Sequence, residues 1–479
     1  MLSWCKKIIS YCSLFYYVRK YYVEDKRNLE LLKKIANRIT ECGAVMIKFT
    51  QWLTPKLELI YVDTDEATPE WLSILENFYE NCSNHELEYT KSEYNRVFGG
   101  NVEDKYIFEN IIGSGSIGQV HLVTNKKSKV REIIKILHPN VRGDINFFNG
   151  LVKFLLWFPC INIKCNSLFP FDIFEFIRQF KLQTNFVNEA NHILYFTEEY
   201  KNNDFIIIPK LIKVSESILI MSYEPGTSLS EIKINDYHKN KIVNLYHLFV
   251  RNNHTILNYN HGDLHPGNWR IREDRETNKH RLIIYDFGYC WEIQETLFTE
   301  MGDIFTETFE ESNEGDEEMI DKLCKLVCFC IIYNKSDRDT GYKDRIRNYI
   351  TKRIDLLQPW KLSPFILLKS TIDFCIMENA LLDPVLIQCF IILIQGQKMY
   401  EKYGLMGSKT NYIEEYEVYR GRYLDILTFC KTYEIFPGYS KYIEEKLNNK
   451  QFVVENIFDT VKLDLSDSLI NMALNPKFD

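Results

Sequence analysis

The chain has 479 residues, too many for one small domain and enough for two or three folding units. Hydrophobic residues make up 46% and charged residues 26%, which excludes disorder as the dominant state, and a net charge of -8 speaks against nucleic-acid binding, which uses a basic excess. Only 20 glycines and six alanines stand beside 30 tyrosines and 31 phenylalanines, so the places where glycine occurs carry information.

Met1 to Tyr22 mixes Leu2, Trp4, Ile8, Ile9, Leu14 and Phe15 with Lys6, Lys7, Arg19 and Lys20. This is the pattern of a helix that either packs on the protein or lies in a membrane interface. It lacks the cleavage site of a secretory signal, and no segment reaches the ~18 apolar residues of a membrane span. Leu32, Ile35, Ile39, Cys42, Val45, Phe49 and Leu53 form one helical stripe from about residue 29 to 53, which Pro55 is expected to end. A second helix is expected from Pro69 to Tyr79, capped by Thr68. The character then changes. Tyr106–Ile112, Gln119–Thr124 and Lys129–Leu137 read as a three-stranded antiparallel meander, with a polar turn over 125–128.

Residues 140–180 read as helices broken at Pro159 and Pro170, followed by a stripe of Leu182, Phe186, Ala190 and Ile193. Phe205–Ile208 and Ile218–Met221 read as strands. After Gly226 the pattern is helical to the end, interrupted by one strand, Leu282–Tyr285. The acidic run 307–321 reads as a solvated face. The 13 cysteines are odd in number and scattered; Cys324, Cys328 and Cys330 fit a buried helix face better than a metal site, and a reducing intracellular compartment follows.

Three of the 20 glycines fall in Gly113-Ser114-Gly115-Ser116-Ile117-Gly118-Gln119-Val120, a GxGxxGxV motif between two expected strands. Glycine lets backbone N–H groups come close to phosphates, and a following strand favours the kinase type of loop over the dinucleotide type. Lys135 lies in the third strand, either as a surface lysine or as an inward phosphate-binding one, and Glu189 fits its partner on the later helix. His261-Gly262-Asp263-Leu264-His265-Pro266-Gly267-Asn268 has the spacing of a kinase catalytic loop, with Asp263 toward the acceptor hydroxyl and Asn268 toward Mg²⁺. An apolar strand then runs into Asp286-Phe287-Gly288, with Asp286 as the second metal ligand. Zinc on His254, His261 and His265 is the alternative, and the acid–amide pair favours magnesium.

With these motifs in kinase order, residues 30–295 resemble the UbiB (aarF-domain) family of atypical kinases. That family's loop is similar to HADPHPGN, its lysine strand is followed by His-Pro as at His138-Pro139, and its EAxN motif matches Glu189-Ala190 with His192 in place of the asparagine. Its KxGQ hallmark matches Lys48-Phe49-Thr50-Gln51, with Lys48 and Gln51 on one helix flank. The resemblance implies an α+β, protein-kinase-like bilobal fold. Residues 1–104 would form an added helical region, 105–225 an N-lobe with a helical insert at 140–180, and 226–479 a helical C-lobe. It further implies ATP and Mg²⁺ as cofactors and nucleotide contacts that extend to Met221, Tyr223, Lys48 and Gln51. It also implies a role near lipid or quinone metabolism, with a lipid, small molecule or protein as acceptor and peripheral membrane contact through the N-terminus.

The chain departs from that family in three places. Gly113 and Gly115 stand where its loop is alanine-rich, Thr50 replaces the glycine of KxGQ, and Gln183 and Asn185 replace two carboxylates. The last change removes the expected ionic partners of Lys48 and implies looser docking of the N-terminal helices. The other functional classes are a small-molecule phosphotransferase like the aminoglycoside and choline kinases, whose catalytic loop is similar but which lack the KxGQ helix, and a nucleotide-sensing scaffold.

Overall fold

The computed structural model describes residues 2–24, 28–61, 74, 84–201, 205–274, 279–294, 317–332, 341–353 and 364–403. The expected helix Pro69–Tyr79 lies almost wholly outside them, as do most of the acidic run 307–321 and everything beyond residue 403. In chain order the described strands are β1 (Tyr106–Ser114), β2 (Gly118–Asn125), β3 (Arg131–Leu137), β4 (Ile206–Ile207), β5 (Leu211–Val214), β6 (Ile218–Ser222), β7 (Asn260–His261), β8 (Trp269–Asp274), β9 (Lys279–Ile284), β10 (Cys290–Trp291), β11 (Ile331–Ile332) and β12 (Leu381–Leu382). The chain gathers into two compact units.

The first unit holds 1–161, 173–194 and 209–224. Its sheet has the order β1-β2-β3-β6-β5, antiparallel at every pairing. The turn between β2 and β3 is an Asx turn: the Asn125 side-chain oxygen accepts from the amides of Lys127 and Ser128 at 3.0 and 3.3 Å. β3 is the central strand and is buried from Glu132 to Leu137, its apolar Ile133, Ile134, Ile136 and Leu137 enclosing Lys135. β5, an edge strand, has no apolar alternation and was not expected from the sequence.

The stripe expected over 29–53 forms two helices, Leu29–Cys42 and Ala44–Tyr61. Gly43 separates them at φ +92°, a conformation that glycine adopts without steric cost. The second helix runs through Pro55 instead of ending there. Proline removes one backbone donor, but the turn is held by Thr54 Oγ1 donating to the Thr50 carbonyl at 2.7 Å and Lys56 Nζ donating to the Trp52 carbonyl at 3.1 Å. These helices share a core with the insert helices Val141–Leu156 and Ile173–Gln183. Ile35, Ile39, Val45 and Ile47 pack with Ile145, Phe148, Phe176 and Phe180. Phe49 and Trp52 extend this core, with ring centroids 5.2 and 5.3 Å from Phe176. The N-terminal helices are therefore built into the unit's core and are not loosely docked. The helix Leu2–Glu24 buries Leu14, sets Tyr11 against Phe147 and Phe148, and pairs Lys7 with Asp144. Its other face exposes Ile9, Phe15 and Val23.

The second unit holds 162–172, 195–208 and 225–479. Its three-stranded sheet has the order β4-β9-β8, where a hairpin of β8 and β9 was read from the sequence as a single strand. The period-two signal of β8 is short: Trp269 and Ile271 are buried, and Arg270 and Arg272 are not. Gly226 lets the chain pass close to this hairpin, since a Cβ there would stand 2.6 Å from Arg270 Cβ. An aromatic core of Phe196, Tyr200, Phe249 and Phe287 lies within this unit. Among the described residues, no helix is long and apolar enough to cross a membrane, and the ten cysteines whose side chains are described are free thiols.

Candidate nucleotide site

In the first unit the glycine motif closes the β1–β2 hairpin. Ser114 pairs with Gln119, and the Gly115 amide donates to the Gly118 carbonyl at 3.0 Å. Gly118 is fixed by packing: a Cβ would lie 2.6 Å from the Ile136 carbonyl oxygen and 3.2 Å from the Phe186 ring. At Gly113 nothing comes within 4 Å of a Cβ, and at Gly115 the nearest atom is 3.9 Å away. Ser116 is buried, and Ile117 packs on the core built by the helix Ala44–Tyr61. Val120 faces Lys135 across the β2–β3 ladder.

Lys135 lies on the central strand and is buried, so the surface alternative falls away. Its Nζ stands 2.8 and 3.0 Å from the two carboxylate oxygens of Glu189, with side-chain exposures of 9% and 2%. Glu189 is in the first turn of the helix Phe186–Glu199, which the Asn185 side chain caps by accepting from the Val187 amide at 3.1 Å. The residue that replaces a family carboxylate thus serves as a helix cap. Phe186 is fully buried and lies beneath the ammonium, 5.4 Å from its ring centroid. Met221 pairs with Ile133 on β6, and Tyr223 follows that strand. Lys48 and Gln51 are half-buried on the helix Ala44–Tyr61. Between them, Thr50 is buried, and its hydroxyl donates to the Met46 carbonyl at 2.8 Å, so the extra side chain of the altered KxGQ motif is absorbed within its own helix.

In the second unit, β7 and β10 hold the HGDLHPGN loop. Gly262 donates to the Tyr289 carbonyl at 2.8 Å, and a Cβ there would strike the Tyr289 ring at 2.4 Å. His261 is buried. Its Nε2 donates to the Tyr285 carbonyl at 3.0 Å, and its Nδ1 accepts from the Asp263 amide at 3.2 Å. Burial lowers its pKa, against the raising pull of that carbonyl and of the Asp263 and Asp286 carboxylates. The imidazole therefore acts as a neutral brace that ties the HGDLHPGN loop to the strand before Asp286. Asn268 donates from Nδ2 to the Asp263 carbonyl at 2.7 Å, and its own carbonyl accepts from the Tyr285 amide at 2.8 Å.

Asp286 has φ +53°, a sparsely populated conformation for a residue other than glycine, and its carboxylate accepts from the Gly288 amide at 3.3 Å. Phe287 is buried among Phe196, His261 and their neighbours, with ring centroids 5.0 and 5.2 Å away. Asn268 and Asp286 offer oxygen donors, which suit a hard ion such as Mg²⁺, and the commitment of Asn268 Nδ2 leaves its Oδ1 for a cation. Among the described residues no three His, Cys, Asp or Glu groups are placed to hold a metal together, so the zinc alternative on His254, His261 and His265 has no support. Sequence reasoning missed one contact of the loop: His138 Nε2 lies 2.9 Å from the Gly115 carbonyl oxygen. The His-Pro pair that follows the lysine strand was its only visible signal.

The chain is similar to several known proteins. A probable serine/threonine-protein kinase, abkC, of Dictyostelium discoideum is 31% identical over 247 residues, covering 49% of this chain and 34% of that protein. A probable protein kinase UbiB of Tolumonas auensis is 23% identical over 264 residues, covering 53% of this chain and 46% of that protein. The match thus spans less than half the length of either relative. Among solved structures, the Rv3197–erythromycin complex from Mycobacterium tuberculosis aligns with a TM-score of 0.41 and 16% identity, covering 65% of this chain and 82% of that one. The ABC1 atypical kinase-like domain matches residues 79–320, half of the chain, and takes in the glycine motif, Lys135, Glu189, the HGDLHPGN loop and Asp286. This chain, with its antiparallel sheet and helices, belongs to the ABC1/UbiB family of atypical kinases.

Proposed function

We propose that this protein is an ATP- and Mg²⁺-dependent atypical kinase or ATPase. The observation that carries the reading is the buried pair of Lys135 and Glu189 on the central strand of the first unit. Enclosing an ion pair is a weak source of stability, because desolvation offsets the attraction. Such a pair fits a lysine whose charge is held ready for phosphate, with Glu189 fixing its direction. The loop of Gly113, Ser114, Gly115, Ser116 and Gly118 would close over phosphate oxygens, the Gly115 amide exchanging its bond to the Gly118 carbonyl for one to phosphate, and Val120, Met221, Tyr223, Lys48 and Gln51 complete the proposed nucleotide contacts. Bound MgATP would supply the transferable phosphoryl group, with Asn268 and Asp286 as the protein's metal ligands. Asp263 orients the acceptor hydroxyl and takes its proton. The buried His261 brace holds Asp263 and the strand before Asp286 in register.

The acceptor is proposed to be a lipid or a quinone-related small molecule, since the exposed Ile9, Phe15 and Val23 beside the basic residues of the first helix suit peripheral contact with a lipid surface. The test is thermal unfolding with and without MgATP. Ligand at about 100 times its Kd adds ~2.7 kcal/mol of stability, so the wild type should melt a few degrees higher. Asp286→Asn should lose most of that shift while still folding, because asparagine tolerates positive φ. Phosphoryl transfer from labelled ATP to lipid vesicles, small alcohols and protein then identifies the acceptor. A wild type that melts identically with and without MgATP defeats the proposal.

A further inference from the structure

Three histidines crowd behind the glycine motif, all within the first unit. His138, directly after β3, places Nε2 2.9 Å from the Gly115 carbonyl oxygen and 3.4 Å from Ser114 Oγ, and its Nδ1 lies 2.8 Å from Nδ1 of His85. His85 Nε2 is 2.9 Å from Thr90 Oγ1, which is 3.0 Å from His121 Nε2. Gln119 closes the cluster. Its Oε1 accepts the His85 amide at 2.8 Å, and its Nε2 lies 3.2 Å from the His85 carbonyl and 3.1 Å from His121 Nε2. Thr90, Gln119 and His121 are almost fully buried.

The hydrogens can be placed from the groups whose roles are fixed. The Gly115 carbonyl only accepts, so His138 Nε2 carries a hydrogen. The His85 amide only donates, so Gln119 turns its oxygen to it and offers its two N–H groups to the His85 carbonyl and to His121 Nε2. With three neutral rings, His138 Nδ1 accepts from His85 Nδ1, and His85 Nε2 must then take the Thr90 hydroxyl hydrogen. The Thr90–His121 contact is left with an oxygen facing a nitrogen and no hydrogen between them. One added proton removes the mismatch. On His85 Nε2 it is donated to Thr90 Oγ1, whose hydroxyl turns to His121. Every contact then holds one hydrogen, the Thr90 hydroxyl and the Gln119 N–H sharing the one lone pair of His121 Nε2, and the cationic His85 strengthens its bond to His138 and, through that ring, the bond to Gly115.

We propose that His138, gripped by His85, Thr90, His121 and Gln119, is a positioning residue for the glycine-rich loop, and that uptake of one proton by this cluster tightens the loop's hold on a nucleotide phosphate. This rests on the reading that residues 113–120 hold phosphate. The titratable groups that face His85 are His138 and His121, with Tyr89 edge-on at 4.9 Å; Glu93 and Arg96 on the same helix act on Tyr89, and Phe108 of β1 lies against His121. Burial holds His85 and His121 down to about 4 and lowers His138 as well, so the cluster is neutral at pH 7 and takes up its proton on acidification.

The test uses the full chain in two arms: hydrogen exchange of segment 113–120 without nucleotide, corrected for intrinsic rates, and MgATP affinity between pH 7.5 and 4.5. His138→Ala should speed exchange and weaken MgATP about tenfold, the scale of one lost hydrogen bond. His138→Gln, which still offers an N–H to Gly115, should restore slow exchange but not the pH dependence. Thr90→Val, which removes the hydroxyl that relays the proton, should lose the several-fold tightening in acid, read as the ratio of its own affinities at pH 4.5 and 7.5. Exchange and affinity in His138→Ala equal to wild type overturn the proposal. So does an acid tightening that persists in both His138→Gln and Thr90→Val. If wild type binds no MgATP, the kinase reading fails, and the exchange arm alone decides the positioning role: unchanged exchange in His138→Ala refutes it, and faster exchange restored by His138→Gln upholds it.

Discussion

A methyl group at Gly118 would press on the Ile136 carbonyl oxygen at 2.6 Å, and that oxygen belongs to the central strand and cannot move aside. At Gly115 the nearest atom to such a methyl is 3.9 Å away, and neither residue has a positive φ. The two glycines therefore occur for different reasons. Gly118 serves packing of the loop on β3, whereas Gly115 leaves room above the loop. Gly118→Ala should lose about 1–3 kcal/mol of stability, the range for overpacking. Gly115→Ala should be neutral or gain ~0.4–1 kcal/mol, because alanine restricts the unfolded chain. Denaturant unfolding of the two variants checks this, and equal losses at both positions would refute the distinction. The alanine that the family prefers at Gly115 is thus sterically admissible here. The glycine's consequence should appear in MgATP affinity, with no loss of folding.

The helix Ala44–Tyr61 shows where sequence and structure part. Its apolar positions were legible, but the stripe ran on through Gly43 because positive φ leaves no mark on periodicity, and Pro55 was read as a stop because side-chain donors around it are invisible in a pattern. The β1–β3 meander was legible because apolar residues recur in runs bounded by a polar turn. β8 was not, since its signal is two buried residues long. The motifs of the site were legible from spacing, whereas His121 and His138 are brought together by the β2–β3 pairing and His85 reaches them from the segment before the helix Leu87–Phe98. Lys56 belongs to the same helix and was not singled out. It is 3% exposed, its ammonium lies 4.2 Å from the Trp52 ring centroid, and burial pushes its pKa down to about 7. The unfolded chain keeps this proton up to about 10.4, so stability should rise with pH across the interval between the two values. Lys56→Met keeps the volume and removes the charge. It should raise the melting temperature by several degrees at pH 7, and the advantage should shrink toward pH 10. A Lys56→Met protein that melts lower at pH 7 would show that the ring and carbonyl contacts outweigh desolvation.

At the scale of the chain, the question is whether the N-terminal helices form a detachable regulator or part of the folding unit. Loss of the two family carboxylates at Gln183 and Asn185 suggested weak docking. Yet Ile35, Ile39, Cys42, Val45, Met46 and Ile47 bury their side chains in one core with Val141, Ile145, Phe148, Phe176, Ile177 and Phe180. Each such side chain is worth about 1.5–3 kcal/mol when buried. Deleting residues 1–60 would uncover the aromatic face of the insert helices, a loss as large as the ~5–15 kcal/mol that holds a domain together. That deletion should give aggregated or unfolded protein by size-exclusion chromatography and far-UV circular dichroism. Deleting residues 1–24 removes Leu14, the Tyr11 ring contacts and the Lys7–Asp144 pair while leaving the two following helices in place. That shorter deletion should stay folded and free of aggregates, with a lower melting temperature. It is accordingly the form in which any restraint on phosphoryl transfer by the N-terminus can be measured. A folded, unaggregated protein lacking residues 1–60 would mean that the shared core contributes far less than its packing implies, and that docking is as weak as the lost carboxylates suggested.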